Sequence, residues 1–167
     1  SGPFHTDTLL AFDPSLKDLK SILNGSSQWR FGVTVPALRN SAAAPVQLTA
    51  ISDLVGTAIS LPVPLKKLPT ESRQFSLNTL LPLGQGPVDI RIGSDFRLLL
   101  NKPEKKPIAA VALFGKQTQG AIPSSGISIR GTTLDFDVPG WISLAKHAEG
   151  EGGLQSLDLI VESFRLA

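Results

Sequence analysis

Val88-Asp89-Ile90-Arg91-Ile92-Gly93-Ser94-Asp95-Phe96-Arg97-Leu98-Leu99-Leu100 is the stretch that decides the fold class. Val88, Ile90 and Ile92 alternate with Asp89 and Arg91, and after Gly93-Ser94 the pattern resumes at Phe96, Leu98 and Leu100. A period of two puts alternate side chains on opposite faces of an extended strand. A glycine-containing break between two such runs is a turn.

The same alternation extends in both directions. Upstream, Trp29, Phe31, Val33 and Val35 alternate with Gln28, Arg30, Gly32 and Thr34. Val46, Leu48 and Ala50 alternate with Gln47 and Thr49, and Phe75 and Leu77 with Ser76 and Asn78. Downstream, Ile127 and Ile129 alternate with Ser128 and Arg130, then Leu134, Phe136 and Val138 with Asp135 and Asp137. Leu157, Leu159 and Val161 alternate with Asp158, with Glu162 next to them. These runs predict nine or ten strands of an antiparallel sheet with one oily and one wet face. Ile108 to Phe114 is apolar throughout, which predicts a central strand covered on both faces or one crossed by a helix.

Two short helices are expected. Asp13-Pro14 supplies an N-cap and a proline at the first helical position, and Leu16, Leu19, Ile22 and Leu23 follow at helical spacing up to Asn24-Gly25. The second starts near Asp137 to Pro139, presents Trp141, Ile142, Leu144 and Ala145, and stops before Gly150 to Gly153. Ser15 to Val35 thereby echoes Gly140 to Val161, the trace of an internal repeat.

Composition narrows the function classes. With 167 residues, 41% hydrophobic and 18% charged, the chain suits a single folded β-rich unit over 1–167. A net charge of +2, with lysines and arginines dispersed, argues against a nucleic-acid partner. The one basic cluster, Lys102 to Pro107, reads as a solvated turn tip. There is no cysteine for a disulfide or a thiolate metal site. Ser1-Gly2 reads as a remnant of tag cleavage, so the chain is expected to be a slice of a longer protein. The longest apolar run is far shorter than the ~20 residues of a membrane helix.

Catalytic chemistry finds no footing, so no catalytic residue, metal ligand or cofactor is expected. The two histidines, His5 and His147, read as surface residues, and no nucleophile elbow, phosphate-binding loop or His-Glu-x-x-His motif is present. Asp137 reads as a helix N-cap and Asp135 as a solvated strand residue. Trp29 and Trp141 read as packing residues.

The difficulty lies in the oily face. Burying a large apolar side chain is worth about 1.5–3 kcal/mol, and a protein stable by only ~5–15 kcal/mol cannot leave about a dozen of them in water. Two short helices hide only part of such a sheet. The rest of the cover is the sheet folded on itself, a second sheet, a neighbouring protein segment or acyl chains.

Particular motifs favour the last. Leu23 to Trp29 gives Leu-x-Gly-x-x-x-Trp, Ser52 to Gly56 gives Ser-Asp-Leu-x-Gly, and Leu61 to Lys67 gives Leu-Pro-x-Pro-Leu-x-Lys. Gly131, Leu134, Asp135, Asp137 and Trp141 form a second set, although Val138-Pro139-Gly140 lengthens the approach to Trp141. In these segments the chain resembles the AsmA-like envelope proteins of the YhdP type, a bridge-like lipid transfer family of Gram-negative bacteria. The resemblance implies a strongly curved sheet whose apolar concave face forms a groove or half-open barrel. It implies a periplasmic portion of an inner-membrane-anchored protein that moves phospholipid towards the outer membrane. Its partners would be phospholipid acyl chains and neighbouring repeats of the same parent chain, with a homodimer of the isolated chain as a further expectation. The implied groove residues are Trp29, Phe31, Val33, Val46, Leu48, Ile90, Ile92, Phe96, Leu98, Ile127, Ile129, Leu134 and Phe136, some of them under the helices. The alternative is a structural or adaptor β-domain that binds envelope proteins or glycans through edge strands and loops.

Overall fold

The computed structural model describes residues 2–5, 22–35, 45–101, 108–116, 120–147 and 154–165. Its elements are β1 (Gly2–His5), β2 (Leu23–Thr34), β3 (Val46–Ser52), β4 (Thr57–Ile59), β5 (Phe75–Leu81), β6 (Val88–Ile92), β7 (Phe96–Asn101), β8 (Ala109–Phe114), β9 (Gly126–Asp137), α1 (Val138–His147) and β10 (Leu154–Arg165). The protein is mostly β. The strands form one sheet in the order β1-β2-β3-β5-β6-β7-β8-β9-β10, with β4 off that path and paired to β2. The order runs from one end to the other without closing on itself.

Three expectations change. The sheet is mixed, not antiparallel, because β9 pairs in parallel with both β8 and β10. Parallel neighbours need a crossover, and the connections 115–125 and 138–153 are long enough to carry the chain back to the starting end. Alternation reports the face of a side chain and is blind to strand direction. Second, the two runs around Ile129 and Phe136 belong to one strand, β9. Gly131 lies inside it at φ 129°, and a Cβ there would collide with the carbonyl oxygen of Phe114. Third, only one helix lies among the described residues. The other predicted helix falls largely on residues outside them; Ile22 is helical, and Leu23 already opens β2.

α1 forms where capping predicts. The Asp137 carboxylate accepts the Gly140 backbone N–H at 3.0 Å, and Pro139 sits in the first turn, where no intrahelical donor is lost. β8 is buried along its whole length, between β7 and β9.

Register determines which side chains share a side of the sheet, since residues opposite one another point the same way. The row Trp29, Ser52, Phe75, Ile92, Phe96, Phe114, Gly131 and Leu159 crosses from β2 to β10. On the reverse side the corresponding row is Arg30, Ile51, Ser76, Arg91, Arg97, Leu113, Arg130 and Asp158.

That reverse side holds an ion-pair cluster. Arg97 donates two hydrogen bonds of 2.9 Å to the Asp89 carboxylate, and Arg91 stands 3.5 Å away. Burial works to raise the Asp89 carboxyl, but the hydrogen bond and charge of Arg97, aided by Arg91, outweigh it and hold the group below its usual value. A carboxyl lowered in the folded state stabilises above its unfolded pKa and loses that contribution as pH falls through the folded one. Asp89→Asn should therefore lower stability by about 1–2 kcal/mol at neutral pH. The gap to the parent protein should close in acid, read from urea melts across a pH series.

The principal core lies on the opposite side, under residues 53–70, which leave β3, run through β4 and return to β5. This strap places Leu54, Ile59 and Leu65 on Trp29, Ala50, Ile92, Phe96, Ala112 and Phe114, and Phe136 joins them from β9. Leu61, Val138 and Trp141 pack at its margin. Trp141 stacks on Phe136 at 5.8 Å and meets Phe114 edge-on at 5.9 Å. Its indole N–H donates to the Val63 carbonyl at 2.9 Å, which ties α1 to the proline corner.

Candidate functional site

One row further from the strap, Phe31, Ala50, Leu77, Ile90, Leu98, Ala112, Ile129 and Leu157 lie side by side on the strap side of the sheet. Beyond them come Val33, Leu48 and Thr79, then Val88, Leu100, Ala110 and Ile127, with Val46 opposite Leu81 at the far margin. No charged residue interrupts these rows. Eight strands at ~4.8 Å spacing make each complete row about 34 Å long.

Exposure rises away from the strap on β2 and the β6–β7 hairpin, but not on β5 or β8, where Thr79 and Ala110 are buried. On β2 it climbs from 9% at Trp29 to 42% at Phe31 and 61% at Val33, and Val35, just past the end of the strand, is 68% exposed. On the central strands Ile92 and Phe96 are buried, whereas Ile90, Leu98, Val88 and Leu100 are half-buried. Leu157 on β10 is exposed. The site is this open part of the face, walled along one side by the strap.

The thirteen residues singled out from the sequence divide accordingly. Trp29, Ile92 and Phe96 are buried under the strap. Phe31, Val33, Val46, Leu48, Ile90, Leu98, Ile127 and Ile129 stand in the open rows, exposed or half-buried. Leu134 and Phe136 lie beyond Gly131, where β9 outruns β8; Leu134 is 71% exposed and Phe136 is buried against Trp141. Sequence reasoning missed Leu77, Val88, Leu100, Ala112 and Leu157 as members of the same rows. The pairing of strands supplies that information, and the alternation at Leu77, Val88, Leu100 and Leu157 was the available signal.

Polar chemistry is concentrated in the strap. Ser52-Asp53-Leu54-Val55-Gly56-Thr57 is a turn in which the Asp53 carboxylate accepts the Val55 N–H and the Ser52 hydroxyl accepts the Leu54 N–H, both at 3.0 Å. The Thr57 hydroxyl reaches Ser27 Oγ at 3.0 Å, and Ser52 Oγ donates to the Gln28 carbonyl at 2.7 Å. Gly56 has φ 91°, and a Cβ there would strike the Ser26 carbonyl oxygen. Lys67 is buried, and its ammonium donates to the carbonyls of Leu54, Thr57 and Leu68 at 2.7–2.8 Å. These residues serve the turn, and their donors and acceptors are engaged with one another.

A cavity of about 470 Å³ lies beside this turn, lined by Ser26, Ser27, Gln28, Asp53 and Val55. Among the described residues that line it, Asp53 is the one ionisable side chain and no base is paired with it. Among the described residues no group of three or more His, Asp or Glu side chains is placed to hold a metal ion. Asp135 is half-buried, where a solvated position was expected. No helix among the described residues is long and apolar enough to cross a membrane. Lys102 to Pro107, the expected turn tip, lies outside the described residues.

Compared with models of known families, with curated proteins and with solved structures, the chain finds no match.

Proposed function

We propose that the chain is a non-enzymatic segment of a lipid-conducting protein of the bacterial envelope, in which phospholipid acyl chains lie on the apolar rows while head groups remain in water. In this reading the sheet is strongly curved, with the strap side concave as a groove or half-open barrel, and the protein is the periplasmic part of an inner-membrane-anchored AsmA-like protein. Neighbouring repeats of the parent chain, or a second copy of this one, would continue the rows.

One observation carries the reading: an uncharged apolar row spans eight strands and is left open to solvent at Phe31 and Leu157. Exposed contiguous apolar surface marks a binding function more often than isolated exposed residues do. The Ser52–Lys67 and Gly131–Trp141 motifs support it independently. A second reading, an adaptor domain, draws on β10. As the last strand of the described order it exposes Leu157 and Ile160, neighbours on opposite faces, which suits the addition of a partner strand.

The test is a photo-crosslinking residue at Ile129 or at Arg130 of the membrane-anchored parent in Gram-negative cells. Ile129 shares its row with Ala112 and Leu157, whereas Arg130 points to the reverse side beside Leu113 and Asp158. Phospholipid captured at Ile129 and not at Arg130 is the expected result. Capture of protein alone at Ile129 would move the assignment to the adaptor.

A further inference from the structure

We infer that the strap is a fixed wall of the apolar lane, not a lid that opens over it, so that the acyl path excludes the row from Trp29 to Phe114. The inference rests on the lipid reading and adds where the occupant lies and what keeps it there.

The strap is tied down along its whole length. Ser26 N–H donates to Gly56 O at 3.2 Å and Ser60 N–H to Ile22 O at 2.8 Å, which bind it to the start of β2. Arg73 N–H donates to Asp53 O at 2.8 Å, closing its two ends on one another. The Arg73 guanidinium then bridges the Pro64 carbonyl, at 3.0 Å, and Asp95 in the β6–β7 turn, at 3.3 Å. Trp141 and Asp137 both donate to Val63 O, at 2.9 and 3.3 Å, which fixes the corner to β9 and α1. Inside the strap the buried Lys67 ammonium holds three carbonyls together.

A lid must leave its seat without stranding buried polar groups. Lifting this strap would uncover Leu54, Ile59 and Leu65 together and break ties on four sides. Leu54 has φ 55°, in the left-handed region that non-glycine residues avoid, so the fold holds it in place against a local preference. Among the described residues the open rows are covered only in part: Ala50, Thr79, Ala110 and Ala112 are buried, whereas Phe31, Val33 and Leu157 are exposed. Phe31 and Phe75 make the comparison: both are phenylalanines on the same side of the sheet and both meet Trp29, Phe31 stacked at 6.2 Å and Phe75 edge-on at 5.1 Å, but Phe31 is 42% exposed whereas Phe75 is half-buried beside the core.

The experiment places p-benzoylphenylalanine at Phe31 or at Phe75 and illuminates the chain with vesicles of equal parts phosphatidylethanolamine and phosphatidylglycerol. Each is measured with and without a lock, Asn24→Cys with Ala58→Cys, which joins β2 to the strap. These residues are opposite in the antiparallel β2–β4 pair, where Cα atoms stand ~4.5–5.5 Å apart, within disulfide range. The chain has no other cysteine to mispair. The expected result is lipid adduct at Phe31, none above background at Phe75, and no change on oxidising the lock. Adduct at Phe75, or loss of the Phe31 adduct when the lock closes, would overturn the fixed wall and leave the lipid reading standing. Adduct at neither position, with the fold intact by circular dichroism, would overturn both. If the Phe75 derivative fails to fold, the response of Phe31 to the lock decides alone.

Discussion

Phe114→Ala is expected to lower the unfolding free energy by about 3–5 kcal/mol, whereas Val33→Ala on the same side of the sheet should change it by less than about 0.5 kcal/mol. Phe114 is 1% exposed, and its ring meets those of Phe96, Phe136 and Trp141 at 5.0, 6.0 and 5.9 Å. It joins a central strand to β9 and α1, so its loss opens a cavity that three elements would have to collapse around. Val33 is 61% exposed and has little packing to lose. Two apolar side chains that alternation treats alike thus have different duties: one holds the fold, the other is surface available to an occupant. Chemical melts of the two variants measure the difference. Similar losses at both positions would mean that the far rows are ordinary core, covered in solution by something the isolated chain carries with it.

Alternation was enough to find most of the strands and of the apolar rows, because strand period and side-chain face are local properties; it missed β1, whose Gly2 was read as a tag remnant, and gave no sign of β4. At β9 the two alternating runs were legible but their union was not, since Gly131 carries the strand through at a φ that no pattern of hydrophobicity encodes. The parallel pairing of β8, β9 and β10 was likewise hidden. Strand direction depends on where the crossover passes, and identical alternation serves either choice. The all-apolar β8 announced its central place correctly, for the reason that both of its faces must be dry.

The strap was the least legible element. Its sequence reads as a turn, a short strand and a proline corner. Its role over Trp29, Ile92 and Phe96 appears only once chain segments distant in sequence come together. The same holds for the division of the thirteen candidate residues into covered and open ones. Within the strap, Lys67 was legible only as the end of the proline-corner motif; its burial gave no signal, as lysine is almost never fully buried without partners.

That lysine carries the other large effect. Lys67→Met should lower stability by about 2–4 kcal/mol, because hydrogen bonds to a charged donor are worth roughly 1.5–3 kcal/mol each and removing a buried charge returns part of the loss. Methionine keeps the apolar stem and removes the ammonium. The Leu54 and Leu68 carbonyls retain the N–H groups of Thr57 and Glu71, at 3.1 and 3.2 Å, so the largest share of the loss falls on Thr57. The pH dependence distinguishes this account from simple packing. Burial lowers the Lys67 pKa below its usual 10.5, against the opposing charges of Glu71 and Asp53. Between the lowered value and 10.5 the unfolded chain binds more protons at this site than the folded one, so the Lys67 contribution to stability rises with pH in that window. The gap between the parent protein and Lys67→Met should therefore widen as pH climbs from neutral into the alkaline range, in urea melts of both proteins. A gap that stays flat would mean that the folded lysine keeps its proton as readily as the unfolded one, with the three carbonyls offsetting the whole cost of burial.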